Sequence, residues 1–183
     1  MSSEIVSASS LWVGSYRRRM KVSLERMYEN ALDWAHLPYL HNSAFSSIEV
    51  IEAGDWGWRA DLGLSQRPEG GALPHITLQL TLDRAHRRWV SSTLEGPGAG
   101  SEIWTHVFEF GSRDLEIQAD FFIPGVAEAD RASVGAVYAE LYQGLYDEDE
   151  AMMLERQRAL DGQSASKGGL DVSNPEDHAL GTV

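Results

Sequence analysis

The stretch Val134-Gly135-Ala136-Val137-Tyr138-Ala139-Glu140-Leu141-Tyr142-Gln143-Gly144-Leu145-Tyr146-Asp147-Glu148-Asp149-Glu150-Ala151-Met152 decides the fold class. Val134, Val137, Tyr138, Leu141, Leu145 and Met152 share one apolar stripe at helical spacing, which predicts a long amphipathic helix over about 127–160. Upstream of it the hydrophobic period changes to two. Alternation over 48–52 and 56–62, with Ala53-Gly54-Asp55 between, predicts a hairpin, and 75–82, 87–94, 103–110 and 115–123 supply further strands. Gly70-Gly71 and Gly96-Pro97-Gly98-Ala99-Gly100 read as loops, and Pro124-Gly125 closes the strand region. Six strands joined by short turns form a meandering antiparallel sheet, and strands followed by a long helix give the α+β class. A second amphipathic helix is expected over 16–37, where Met20, Leu24, Met27, Tyr28, Ala31 and Leu32 follow helical spacing. Beyond Gly162 the chain is rich in Ser, Gly, Asp and Asn, so one domain over 1–162 and an extended or disordered tail over 163–183 are expected.

Chemistry is expected at Asp33-Trp34-Ala35-His36-Leu37-Pro38-Tyr39-Leu40-His41, where two imidazoles and a carboxylate fall within nine residues. A helix carrying Asp33 and His36 at i, i+3 places both on one face. Pro38 is expected to end that helix, so that His41 turns back toward the same point. Two neutral imidazoles that converge with an acid from elsewhere make the 2-His-1-carboxylate set of mononuclear Fe(II) sites. The acid is expected from Asp147-Glu148-Asp149-Glu150. At roughly 100° per residue, Glu148 lies near the centre of the stripe, Asp149 at its border, and Asp147 and Glu150 outside it. Four consecutive acids also read as a solvated helix face.

Glu29-Asn30-Ala31-Leu32-Asp33 followed by His36 and His41 resembles the E-N-x-x-D-x-x-H-x-x-x-x-H segment of the catalytic domain of Rieske non-haem iron ring-hydroxylating oxygenases. The run from Glu148-Asp149 to Glu155 and Gln157 resembles the E-D-x-x-x-x-E-x-Q run of the same family, with one extra residue before Glu155. The resemblance covers about 17–160. It implies a helix-grip (START/Bet v1-like) antiparallel sheet wrapped on a long C-terminal helix. It implies His36, His41 and Asp149 as ligands of Fe(II), with Glu148 or Glu150 as lesser candidates; Glu150 takes the place if register is counted from the C-terminal end. It implies Asp33 as the catalytic acid on an electron path, and an apolar aromatic or polycyclic substrate that is oxygenated. On the same scaffold, the alternative is a non-catalytic carrier of hydrophobic ligands whose histidines are structural.

The chain of 183 residues has no Cys, which excludes thiolate-held zinc, a Cys nucleophile and an Fe–S cluster ligated within it. An oxygenase of this kind therefore implies a separate electron-transfer protein carrying a Rieske [2Fe-2S] cluster. Arg17-Arg18-Arg19 with Lys21 reads as the solvated face of the entering helix or as the docking patch for such a carrier. A net charge of −13 makes nucleic acid and anionic membranes poor partners. No apolar run approaches the roughly 18 residues of a membrane span, and Met1 to Ser10 lacks the regions of a signal peptide, so a cytoplasmic location is expected. The sequence is compatible with a homo-oligomer. Trp56, Trp58, Trp104, His106, Phe108, Phe121 and Ile123 are the candidates for an apolar pocket, with Trp104, His106 and Phe108 on one sheet face by alternation. No glycine-rich phosphate loop or Ser nucleophile elbow occurs, and His75, His86 and His178 carry lower weight.

Overall fold

The computed structural model describes residues 10–66 and 71–168. Seven strands form one sheet: β1 (Ser10–Met20), β2 (Phe45–Gly54), β3 (Gly57–Leu64), β4 (His75–Asp83), β5 (Arg88–Glu95), β6 (Glu102–Gly111) and β7 (Asp114–Pro124). Their order is β1-β7-β6-β5-β4-β3-β2, and every pair is antiparallel. Helices α1 (Leu24–Leu32) and α2 (Leu37–Leu40) carry the chain from one edge strand, β1, to the other, β2. Helix α3 (Arg131–Gly168) closes the fold. The α+β class and the helix-grip arrangement are as the sequence led us to expect.

The alternation of β7 shows why the sheet has one dry face: Leu115, Ile117, Ala119, Phe121 and Ile123 are all buried, while the residues between them are only partly covered. A larger core gathers Met20, Val22, Met27, Tyr28, Trp58, Leu80 and Trp89. A smaller one joins Val13, Ala119 and Phe121 to Val134, Tyr138 and Tyr142 of α3.

The helix expected over 16–37 is instead a strand, a short linker and α1. Residues 10–20 pair with β7 from Ser10↔Pro124 to Met20↔Leu115, with a bulge between Trp12 and Gly14. Beyond the bulge Tyr16, Arg18 and Met20 turn inward, and Ser15, Arg17 and Arg19 outward. Arg18 hid this period of two, because a charged side chain at an inward position reads as a break. Its partners, Asp147 and Glu150, lie 129 and 132 residues away on α3, with Arg18 Nη2 donating to Glu150 Oε2 at 2.6 Å. Arg19 and Lys21 both pair with Asp114, at 2.8 and 2.9 Å. Three of the four basic residues are thus engaged within the chain, and a docking patch for an electron carrier finds no support.

Helix α3 continues through Gly168, past the boundary expected at 163; residues 169–183, which include His178, lie outside the described residues, as do Gly70 and 1–9. Where α3 crosses β1, a Cβ on Gly135 would lie 2.3 Å from the Val13 carbonyl oxygen. Replacing a helical Gly by Ala ordinarily gains about 1 kcal/mol. Here overpacking of about 1–3 kcal/mol reverses the sign. Gly135→Ala is expected to lower the urea midpoint and Gly144→Ala, whose Cβ meets nothing within 4 Å, to raise it. Equal shifts would rule out the tight crossing.

Candidate metal centre and ligand cavity

Helix α1 starts at an N-cap Ser23 that accepts from the Arg26 N–H, and ends at Asp33. Trp58 Nε1 donates to the Ala31 carbonyl at 2.9 Å and ties the end of α1 to the sheet. A 3₁₀ turn, Trp34–His36, leads into α2, whose first turn holds Pro38. Pro38 therefore begins a helical turn where the sequence suggested an end, because a first-turn residue needs no N–H donor. The His41 N–H bonds to the Leu37 carbonyl, and the His41 carbonyl accepts from Ala44 and Phe45, so the backbone of this histidine is fixed on both sides.

The two imidazoles meet at a right-angled approach, centroids 5.2 Å apart and planes at 76°. Asp149 Oδ1 lies 3.0 Å from His41 Nε2 and 3.5 Å from His36 Nε2. On its other edge His41 Nδ1 lies 2.7 Å from Glu148 Oε2. His41 and Asp149 are buried, and one donor atom from each of His36, His41 and Asp149 falls within 4.8 Å of the others. Metal–ligand bonds of about 2.0–2.2 Å set neighbouring donors about 3–3.5 Å apart, as Asp149 Oδ1 stands from both imidazoles, so the trio fits a metal ion in chemistry and its carboxylate fits in spacing. A second observation agrees. Both His41 nitrogens face carboxylates, which a neutral ring satisfies only when one nitrogen donates and the other meets a cation.

Burial pulls the His41 pKa down, but the contacts with Asp149 and Glu148 outweigh it and leave it raised. Burial dominates at His36 and leaves it lowered, against the pull of Asp149. His36 Nδ1 is buried without a hydrogen-bond partner, 4.0 Å from Asp33 Oδ2. Asp33 caps α1 beside the cavity, and its carboxylate, 42% exposed, is too far from His36 for a side-chain hydrogen bond.

The acids of α3 sort themselves cleanly. Glu150 and Asp147 bind Arg18, so counting register from the C-terminal end does not bring Glu150 to the histidines. Glu148 touches only the outer edge of His41, and Asp149 is the buried one. The stripe arithmetic had centred Glu148, whereas the inner seam runs through Tyr138, Tyr142, Tyr146, Asp149 and Met153. Val137 and Leu141, expected inside, are 66% and 43% exposed at the cavity rim.

Between the sheet and α3 lies a cavity of about 520 Å³. Trp58, Leu78, Leu80, Trp89, Tyr142 and Tyr146 make its apolar walls, and His36, His41 and Asp149 share its lining. Burial pushes the Tyr142 and Tyr146 phenols well up, so both are neutral. Of the expected pocket residues, Trp58 alone lines it. Trp104, His106 and Phe108 do share a face, but β6 turns Thr105 and Val107 into the core instead. Trp104 lies beneath the Arg88 guanidinium at 4.8 Å, and Phe108 is exposed. Trp56 sits in the β2–β3 turn, while Phe121 and Ile123 belong to the smaller core. Trp89, Tyr142 and Tyr146 were missed; their signal was an inward place on a predicted strand and on the predicted helix.

No protein-family model matches the chain, and no curated protein matches it in sequence. Solved structures do match. The Zhui aromatase/cyclase from Streptomyces sp. R1128 is 16% identical over 80% of this chain and 95% of its own, with a TM-score of 0.60. A START superfamily protein from Mycobacterium smegmatis is 14% identical over 77% and 96%, with a TM-score of 0.60. A major latex-like protein from Panax ginseng is 14% identical over 77% and 97%, with a TM-score of 0.58. The fold is the START/Bet v1 helix grip. At these identities the likeness is one of fold alone.

These helix-grip neighbours are START/Bet v1-like proteins and not Rieske oxygenase catalytic domains. The ring-hydroxylating oxygenase reading, with its iron-dependent mono- or dioxygenation, is therefore overturned, and the implied electron-transfer partner has no support. The reason is physical: a short motif on a scaffold shared by both groups reports local chain geometry, a helix end followed by one turn, and not a reaction. Among the described residues no helix is long and apolar enough to cross a membrane.

Proposed function

We propose that this chain binds an apolar small molecule in the cavity between the sheet and α3, beside a divalent first-row metal ion held by His36, His41 and Asp149. The observation that carries the reading is the cavity itself, about 520 Å³ and walled by aromatic and aliphatic side chains, within the roughly 300–1,000 Å³ typical of small-molecule sites. The helix-grip scaffold supports it. A metal ion bound there would act as a Lewis acid, and imidazole with carboxylate accepts iron, zinc, cobalt or nickel alike.

Binding is tested by quenching of Trp58 and Trp89 with the neutral probe N-phenyl-1-naphthylamine. The parent is expected to saturate at one probe per chain. Ser91 lines the cavity from β5, and Ser91→Trp is expected to fill it and weaken the probe by about tenfold or more with the urea midpoint held. A parent that takes no probe would reject the reading.

The contacts of His41 also favour a competing account of the polar cluster, a metal-free buried ion pair of protonated His41 with Asp149. Glu148→Gln separates the two. If a metal sits at Nε2, the Glu148 carboxylate accepts from Nδ1–H, fixes the ring tautomer and raises its basicity, so the variant should bind Co(II) about 10–100-fold more weakly. Protein that takes up no Co(II), Zn(II) or Fe(II) would favour the ion pair.

A further inference from the structure

We infer that the ligand of this cavity is an apolar monoanion with two adjacent oxygen donors, such as a hydroxyarene carboxylate or the enolate of a 1,3-dicarbonyl, which completes the coordination of the metal; the inference rests on the metal-binding reading above. Its first support is the charge of the lining. Asp33 and Asp149 line the cavity, and among the described residues no Lys or Arg does. Without a metal, an anion entering there would meet two acids and no cation except a protonated His41 already paired with Asp149, inside walls too apolar to solvate it. With a dication on two neutral imidazoles and one carboxylate, the coordination sphere itself carries about +1, while Asp33 and Glu148, 42% and 39% exposed at their side chains, lie outside it and are screened by solvent. That charge, in a cavity otherwise walled by side chains such as Leu80, Trp58 and Trp89, is best neutralised by a single negative charge on the ligand.

The second support is where the protein donors stand. All three residues line the same cavity, and an ion of four to six ligands has one to three places left for donors arriving from it. Two oxygens on adjacent carbons or across one carbon fill two such places from one rigid body. Asn30 adds a polar contact of its own. It lines the cavity, and its Oδ1 is buried without a partner, an acceptor that a ligand hydroxyl would satisfy.

The test compares metal-free and Co(II)-loaded protein with two probes, 1-hydroxy-2-naphthoate and neutral N-phenyl-1-naphthylamine. The naphthoate is expected to bind the Co(II) form about tenfold or more tightly than the metal-free form, and to shift the visible Co(II) absorption. The neutral probe is expected to bind both forms alike and leave that absorption unchanged. In Asp149→Ala the metal dependence of the naphthoate should vanish. Equal naphthoate binding to both forms, or tighter binding with an unshifted spectrum, would overturn the chelation inference while the neutral probe still upholds the cavity. Failure of the parent to take up Co(II) would overturn the metal reading and this inference with it.

Discussion

Asp149→Ala is expected to weaken Co(II) or Zn(II) binding by more than the roughly 10–100-fold that loss of an outer hydrogen-bond partner costs, because it removes the only anionic donor of the trio. Asp149 is the carboxylate that reaches both imidazoles, at 3.0 and 3.5 Å, and its burial leaves water little room to replace it. Glu150→Ala should leave metal affinity unchanged, since Glu150 spends its carboxylate on Arg18 at the seam of β1 and α3. Its cost falls on stability instead. Replacing Asp149 costs stability as well, because removing one partner of a buried pair leaves His41 Nε2 without its acceptor, so loss of metal is the signature that Glu150→Ala does not share. Metal content and urea midpoint, measured on both variants, separate a ligand from a structural acid. An Asp149→Ala protein that keeps its metal would remove the centre from this site.

Much of the fold was legible because periodicity survives wherever one face alone is buried. The strands from β2 to β7 and the long helix all announced themselves in this way. What was lost has a common cause, the long-range partner. Arg18 looks wrong for an inward strand position until Asp147 and Glu150 are brought to it from the far end of the chain. Trp104, His106 and Phe108 were correctly grouped on one face, yet alternation cannot say which face is inside. The outer face here keeps its aromatics by giving them cations, with Arg88 over Trp104 and Arg19 over Phe110 at 4.5 Å.

The candidate site was legible in its histidines and ambiguous in its acid, for an equally local reason. Stripe arithmetic admitted Val137, Leu141 and Leu145 beside Tyr138 and left out Tyr142 and Tyr146. In the fold the large rings of Tyr138, Tyr142 and Tyr146 take the seam, and the smaller aliphatic side chains are left at the cavity rim. Rotating the inner face in this way turns Asp149 inward and Glu148 to the edge. The reaction class was not legible at all, since a metal-ligand set on a common scaffold does not by itself specify a reaction.

The largest effect on stability is expected from Phe121→Ala. Phe121 is 0% exposed in the centre of β7, between Gly14 of β1 and Ile103 of β6, and its ring faces Tyr142 at 5.1 Å and Tyr138 at 5.4 Å. Collapse into the space it leaves is blocked on three sides. Both neighbouring strands are held by their ladders, and α3 is held against β1 by the Gly135 crossing and the Arg18 pairs. A buried Phe→Ala change that cannot relax costs about 3–5 kcal/mol, whereas Phe121→Leu should cost under about 1.5 kcal/mol. Because Tyr142 leans on Phe121 and also lines the cavity, the Ala variant should weaken the neutral probe as well, even where it remains folded. Urea unfolding checks the first effect and Trp quenching the second. A loss below about 1 kcal/mol would mean that the wall can collapse after all, and that the cavity next to it is not held open by this packing.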